Sequence, residues 1–443
     1  MNTAYQFLHF VQYAAIRNWS VQYMIGGNKI SSLFPIRTLG TYINEENERY
    51  EISDPSKEYG ILGVNNQAGI FDAYKENGAK IKQKYKKMQE GWIAFNPYRV
   101  NVGSVGVKRS CHQNEYISPA YVVFSCKKGL LPDFLYLLMK TQTFNQTIRL
   151  NTTGSVRQSL SFKNLSALSI PMPSLEEQNK LMHSYNTIIG KFRRIEQNNA
   201  GIELKTEQYI RKALDLDKDN GNRDNRLLRF IHFKNTLNRW DSYAIKEQYK
   251  SKWPIVKLGE LITSISTGTT PPTIHKEYFN GNIRFYTPAD ITGEMYLGNT
   301  ERHISKEAVD KGAARVFEKG TILFVGIGST VGKVGIVNED MVSSNQQITG
   351  FMVDERLVCP EYVYCFLYYN KDISTAEQSK TTLPIVNQSK ISRIPIPIPS
   401  KEIQEEIVSN VSAAKARIRE LKSKATSLKA QALQDFERAL FIL

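Results

Sequence analysis

Residues Leu168–Gln178 read LSIPMPSLEEQ and residues Ile394–Gln404 read IPIPIPSKEIQ. The two stretches share an Ile-Pro-x-Pro run, a serine and a closing glutamine, and they stand 226 residues apart from Gln178 to Gln404. The same offset persists downstream: Gln208 matches Gln434, Ile210 matches Phe436, Ala213 matches Ala439 and Leu214 matches Leu440. Self-similarity at a fixed spacing is the mark of a duplicated structural unit, and it decides the architecture before any single element is assigned.

Working outward, FPIRTLGTYI from Phe34 matches WPIVKLGELI from Trp253, and IRNWSVQYMI around Trp19 is similar to LNRWDSYAIK around Trp240. Each half therefore runs as lead-in, module and helix. The expected boundaries are a lead-in at 1–34, a first module at 35–172, a long helix at 173–215, a linker repeating the lead-in at 216–253, a second module at 254–398 and a second long helix at 399–443. Inside the modules, EGWIAFNPYRVNVGSVGV from Glu90 and KGTILFVGIGSTVGKVGIV from Lys319 alternate apolar residues and then turn on glycines, as strands and tight turns do. DFLYLLMKTQ from Asp133 and EYVYCFLYYN from Glu361 suit one short buried helix in each module. Both modules read as α+β with curved sheets.

The helices announce themselves. Ser174 is a candidate N-cap with Glu177 three residues on, a capping box; Ser400 repeats the cap, while Ile403 stands in for the glutamate. Leu181, Tyr185, Ile188, Phe192, Ile195, Ile202 and Tyr209 follow a 4-3 spacing, as do Ile407, Val411, Ala414, Ile418, Leu421, Ala425, Leu428 and Ala432. Two matched seams in one chain point to an antiparallel coiled coil within it, and about 40 residues at 1.5 Å give a rod of roughly 60 Å, able to hold two modules apart. Asn199 falls on the first seam, where its counterpart in the second helix is Ala425, either fixing register or facing solvent as an interruption.

Catalytic motifs are wanting. Asn96-Pro97-Tyr98 lacks a proline of the amino-methyltransferase motif, and no glycine-rich turn precedes it to cradle a methyl donor. Gly326 to Lys333 misses the phosphate-loop spacing, with Ile327 where the first glycine belongs and Val334 after the lysine, so these glycines read as a sheet turn with Lys333 offered to a phosphate. His9, His112, His183, His232, His275 and His303 are scattered, and Cys111, Cys126, Cys359 and Cys365 form no CxxC pair, which excludes a zinc finger and suits reduced thiols.

What remains is a binding surface. Lys80, Lys82, Lys84, Lys86 and Lys87, with Tyr85 among them, alternate so as to put several ammonium groups on one face of a strand, either for phosphates or as a solvated edge guarded against aggregation. Arg99, Asn101, Arg109 and Arg157 in the first module, and Arg284, Lys333, Asn345, Gln346 and Gln347 in the second, are side-chain types that read base edges or clamp phosphates. The formal charge of +15 across 443 residues favours a polyanionic partner. With 41% hydrophobic and 23% charged residues the chain is globular in composition. The absence of a leader pattern at the N-terminus or of 18 consecutive apolar residues leads to the expectation of a cytoplasmic protein without a membrane partner.

The pattern now resembles a known family. A module ending in Ile-Pro-x-Pro, then Glu-Gln and a heptad helix, all repeated once, is similar to the specificity subunit of Type I restriction-modification systems. The residues that carry the resemblance are SIPMPSLEEQ and PIPIPSKEIQ, GSVRQSLSFKNLSALSIP, WIAFNPYRVNVGSVGV, IRFYTPADITGE and GTILFVGIGSTVGKVGIV, and it covers nearly the whole chain beyond Phe34. The resemblance implies a non-catalytic reader of double-stranded DNA: each module takes half of a bipartite site and the helices set the gap. It further implies two modification subunits that use S-adenosylmethionine to methylate adenine, and restriction subunits that use ATP and Mg, with no cofactor in this chain. Other readings are the recognition subunit of a different bipartite methyltransferase-nuclease system, and a coiled-coil scaffold that binds nucleic acid without catalysis.

Overall fold

The computed structural model describes residues 30–100, 103–151, 159–216, 250–379 and 383–442. The repeats at Trp19 and Trp240, and the candidate residues Asn101 and Arg157, lie outside them. The chain divides into two compact units: residues 1–195 with 424–443, and residues 196–423.

The first unit is built on two sheets. One runs in the order Ile43–Glu45, Val122–Cys126, Ile93–Phe95, Val105–Val107. The other runs Arg49–Tyr50, Tyr85–Lys87, Tyr116–Ile117, Glu58–Asn65, Gly69–Asn77, antiparallel except where Glu58–Asn65 lies parallel to Tyr116–Ile117. The second unit repeats this plan. Its first sheet is Ile262–Thr267, Ile348–Val353, Ile322–Val325, Val334–Ile336, and its second is His303–Ile304, Ile283–Tyr286, Val342–Ser344, Val316–Phe317, again with one parallel pair at the same place.

The Ile-Pro-x-Pro stretches become short strands in two-stranded ribbons: Ser169–Pro171 against Ile36–Thr38, and Pro395–Pro397 against Ile255–Lys257. Proline donates no ladder hydrogen bond, so such a run can pair on one side only, and a two-stranded ribbon is the sheet that suits it. Its isoleucines, Ile170 and Ile396, face inward and are fully buried. Each ribbon leads into a long helix, Leu175–Ala213 of 39 residues and Lys401–Leu440 of 40 residues. At the first, the capping box is formed: the Glu177 amide donates to Ser174 Oγ, and the Ser174 amide donates to Glu177 Oε2 at 2.8 Å.

In the first unit the start of the first long helix lies with the end of the second. Leu181, Met182 and Tyr185 pack with Phe436, Leu440 and Phe441 on a core that includes Phe95, Phe124, Phe134 and Phe144. Phe436 meets Phe134 and Tyr185 edge-on, at 5.7 and 6.4 Å between centroids. The second unit has the converse arrangement: Ile210 and Leu214 from the end of the first helix join Ile407 and Val411 from the start of the second, and the Tyr209 hydroxyl donates to Glu406. Within each unit the helices are therefore antiparallel. Asn199 is buried in its seam, and neither amide atom finds a hydrogen-bond partner among the described residues.

The joints repeat in their main contacts. Gln178 is fully buried; its Oε1 accepts from the Leu131 amide at 2.9 Å, and its Nε2 donates to the carbonyls of Gly129 and Pro173. Gln404 likewise accepts from the Cys359 amide at 2.9 Å and donates to the Pro399 carbonyl. Leu131 and Cys359 are the N-cap residues of the short helices Pro132–Leu138 and Pro360–Tyr369, so the glutamine satisfies an amide there and ties long helix to module. A second joint closes each unit: Ser32 Oγ donates to the Leu440 carbonyl and Ser251 Oγ donates to the Leu214 carbonyl.

Candidate nucleic-acid interface

In the second module four segments converge on one loop cluster. The turn Asn345–Gln347 joins two strands and is held from within, as Asn345 Nδ2 donates to Gln347 Oε1 at 3.0 Å and the Gln347 amide donates back to Asn345 Oδ1. Gln346 stands exposed and accepts from Thr270 Oγ1. Gln388 Nε2 donates to Thr267 Oγ1 at 2.9 Å, and that hydroxyl lies 3.1 Å from Thr349 Oγ1. The glycine turn joins them: the Gly326 amide donates to Gln347 O, the Val386 amide to Gly326 O and the Gly328 amide to Pro384 O. Gly328 has φ +107°, and a Cβ on Gly268 would stand 2.2 Å from Ser344 Oγ, so these positions need glycine.

The result is a preorganised edge of neutral amides and hydroxyls. Asn and Gln can bond adenine N6 and N7 together, and Ser or Thr hydroxyls accept either base-edge pattern. The sequence reading missed Thr267, Thr270 and Gln388; the only signal was a short polar run in TGTTPPT and VNQ between apolar segments.

Two candidates in this module are engaged otherwise. The Arg284 guanidinium is held by Glu339 and, at 2.7 Å, by Asn299. Lys333 is half-buried, and its ammonium donates to the Pro288 carbonyl at 3.1 Å, which ties it to a neighbouring loop.

In the first module the lysine run is not one strand, which corrects the expectation from alternation. Lys80 closes a 3-10 turn, Gly78–Lys80, and pairs with Glu76; Lys82 and Lys84 sit on an irregular connection; only Tyr85–Lys87 is strand. Tyr85 and Lys86 are buried. Lys86 donates to the Tyr121 carbonyl at 2.9 Å, and burial lowers its pKa from the ordinary lysine value. Lys87 pairs with Glu115 at 3.2 Å. Lys82 and Lys84 remain exposed and unpaired among the described residues.

Arg99 is exposed on the turn after strand Ile93–Phe95, where Asn96 Oδ1 accepts from the Tyr98 amide and leaves Tyr98 60% exposed. Asn96 thus builds a turn. Arg109 pairs with Asp133 on the short helix. The turn equivalent to Asn345–Gln347 is Ser118–Tyr121 here, so two modules of one topology present unlike side chains at the same place.

A family model described as the Type I restriction modification DNA specificity domain matches residues 29–204 and again 250–429. The chain belongs to this family. The double match falls on the two copies of the topology, one specificity domain in each unit. Among curated relatives, the Type I restriction enzyme MjaIX specificity subunit of Methanocaldococcus jannaschii is 32% identical over 169 residues, 36% of this chain and 37% of that protein. The alignment thus spans little more than a third of that relative's length. The Type I restriction enzyme HindI specificity subunit of Haemophilus influenzae is 22% identical over 74% of this chain and 82% of its own. A solved structure concerned with complex assembly and conformational transition of the type I R-M system has the same fold, with a TM-score of 0.51 at 17% identity, over 93% of this chain and 98% of that one. Among the described residues no helix of this specificity-domain chain is long and apolar enough to cross a membrane, and no cluster of metal-ligating side chains is assembled.

Proposed function

We propose that this chain reads DNA sequence for a Type I restriction-modification complex and carries out no bond chemistry itself. The observation that supports this reading best is the pairing of one repeated topology with two different loop surfaces. In the second module Asn345, Gln346, Gln347, Thr270 and Gln388 offer neutral groups to base edges; in the first, Lys82, Lys84 and Arg99 offer charge to phosphates. Each module takes one half of a bipartite site, and because the surfaces differ the half-sites differ. The paired helices set the unread gap. Methylation of adenine and cleavage fall to partners: two modification subunits carrying S-adenosylmethionine, and restriction subunits using ATP and Mg, assembled in the cytoplasm.

The test is sequencing of modified bases in a host with and without this gene. The expected difference is one motif of two unlike halves around a fixed gap, methylated on adenine. An undivided motif, or identical methylation in the two strains, would sink the reading.

A further inference from the structure

The duplication allows each unit to be checked against its copy, and at one place they disagree. In the first unit a cleft of about 560 Å³ lies between the long helix and the module, lined by Arg109, His112 and Arg193 among polar groups and by Ile70, Met182 and Ile189 among apolar ones. His112 Nδ1 accepts from the Arg109 amide at 2.9 Å, which leaves Nε2 as the ring's hydrogen-bonding atom for other partners. The cleft's one carboxylate, Asp133, is already paired with Arg109, whereas Arg193 is exposed and has no acidic partner among the described residues.

At the 226-residue offset, Arg193 corresponds to Arg419 and Ile189 to Lys415 in the second unit. There the place is occupied by the chain itself. Arg419 lies 3.8 Å from Glu294; Lys415 donates to the Gly293 carbonyl at 2.7 Å, and the Tyr364 hydroxyl donates to the same carbonyl. The segment is seated on the strand Val334–Ile336 through the Ile336 amide to the Met295 carbonyl. The cause is loop length. The strands Ile283–Tyr286 and His303–Ile304 are joined by residues 287–302, whereas their counterparts Glu58–Asn65 and Gly69–Asn77 are joined by residues 66–68 alone. The short turn carries no acid and does not fill the cleft.

We infer that the open cleft of the first unit docks an acidic segment of a partner protein, a carboxylate beside an apolar residue, in the manner that Gly293–Glu294–Met295 occupies the second. Arg193 takes the carboxylate, and Met182, Ile189 and Ile70 take the apolar neighbour. The mixed lining favours protein over DNA: an arginine among half-buried apolar and tyrosine side chains is the composition of a protein interface, while backbone-tracking surfaces are charged throughout. The second repeat cannot offer this contact, so two otherwise equivalent halves bind partners unequally. This rests on the assembly with modification subunits proposed above.

The experiment uses the full chain mixed with purified modification subunits, followed by native mass spectrometry and titration. Wild type is expected to take two copies, and Arg193→Glu to weaken one of the two by tenfold or more. Arg419→Glu, which disturbs a filled site, should leave both affinities unchanged. Arg193 is exposed, so the variant should fold; unchanged thermal unfolding and unchanged affinity for a duplex carrying the methylated motif verify it. Two tight copies on Arg193→Glu would overturn the inference. A lowered salt dependence of DNA binding in that variant would overturn it in favour of a phosphate. No binding of modification subunits to wild type would instead refute the assembly itself.

Discussion

Gln178 and Gln404 are the residues in which the repeat is most literal. Each is buried, and each satisfies an amide at the start of a module helix. Replacing Gln178 with leucine keeps the volume but leaves the Leu131 amide and the Gly129 and Pro173 carbonyls without this partner. A buried group so orphaned costs about 1–3 kcal/mol, so Gln178→Leu should lower stability by about that amount, and a chemical denaturation midpoint equal to wild type would contradict the joint. Lys140 gives a pH-dependent test. Its ammonium donates to the Gly103 carbonyl, and burial, with the nearby Lys429 charge second, pushes its pKa down to about 8 from 10.5. The folded state thus releases this proton before the unfolded state does. The destabilisation from a buried charge is fully present below pH 8 and is relieved between 8 and 10.5, so wild type should gain stability relative to Lys140→Met across that window; a constant difference would refute the assignment.

At the scale of elements, the seam was legible because apolar residues at 4-3 spacing have one efficient use, and the capping box because serine and glutamate satisfy each other's backbone amides. The lysine run was not. Alternation predicts which face a residue takes only if the segment is a strand, and a 3-10 turn at Gly78–Lys80 breaks the phase before Tyr85. Nor were the contacts of Gln346 with Thr270 and of Gln388 with Thr267 readable, because they join residues 76 and more positions apart. Asn199 stands between these cases: placed on the seam by spacing, its burial without hydrogen bonds follows only from packing. Since the equivalent position holds Ala425, Asn199→Ala should be tolerated or should raise stability by about 1 kcal/mol by removing two unsatisfied polar atoms. A loss above that amount in thermal or chemical unfolding would contradict the reading that the buried amide is unsatisfied. Adding one turn to each long helix, about 5.4 Å, should lengthen the unread gap by one to two base pairs, given about 3.4 Å per pair; an unchanged gap would end the role of the helices as spacer.

For the molecule as a whole, the repeat was the strongest signal in the sequence, because joints and seams constrain residues at regular spacing while reading loops do not. The two-sheet plan and the unequal loops at 66–68 and 287–302 emerge only from strand pairing. If the modules read independently, exchanging residues 35–172 for those of another reader should change one half-site and keep the other, which modified-base sequencing would register directly. Change in both halves would mean that the modules are coupled.

The serine joints extend this argument to chain order. Ser32 on Leu440 and Ser251 on Leu214 make one contact twice, yet Ser251 follows Leu214 by 37 positions along the chain while Ser32 precedes Leu440 by 408. The joint is thus indifferent to the order in which the chain supplies its two sides. Exchanging a module between its ribbon strand and the Ile-Pro-x-Pro stretch would keep all four residues of these joints, so the contact that closes each unit does not depend on which module it encloses.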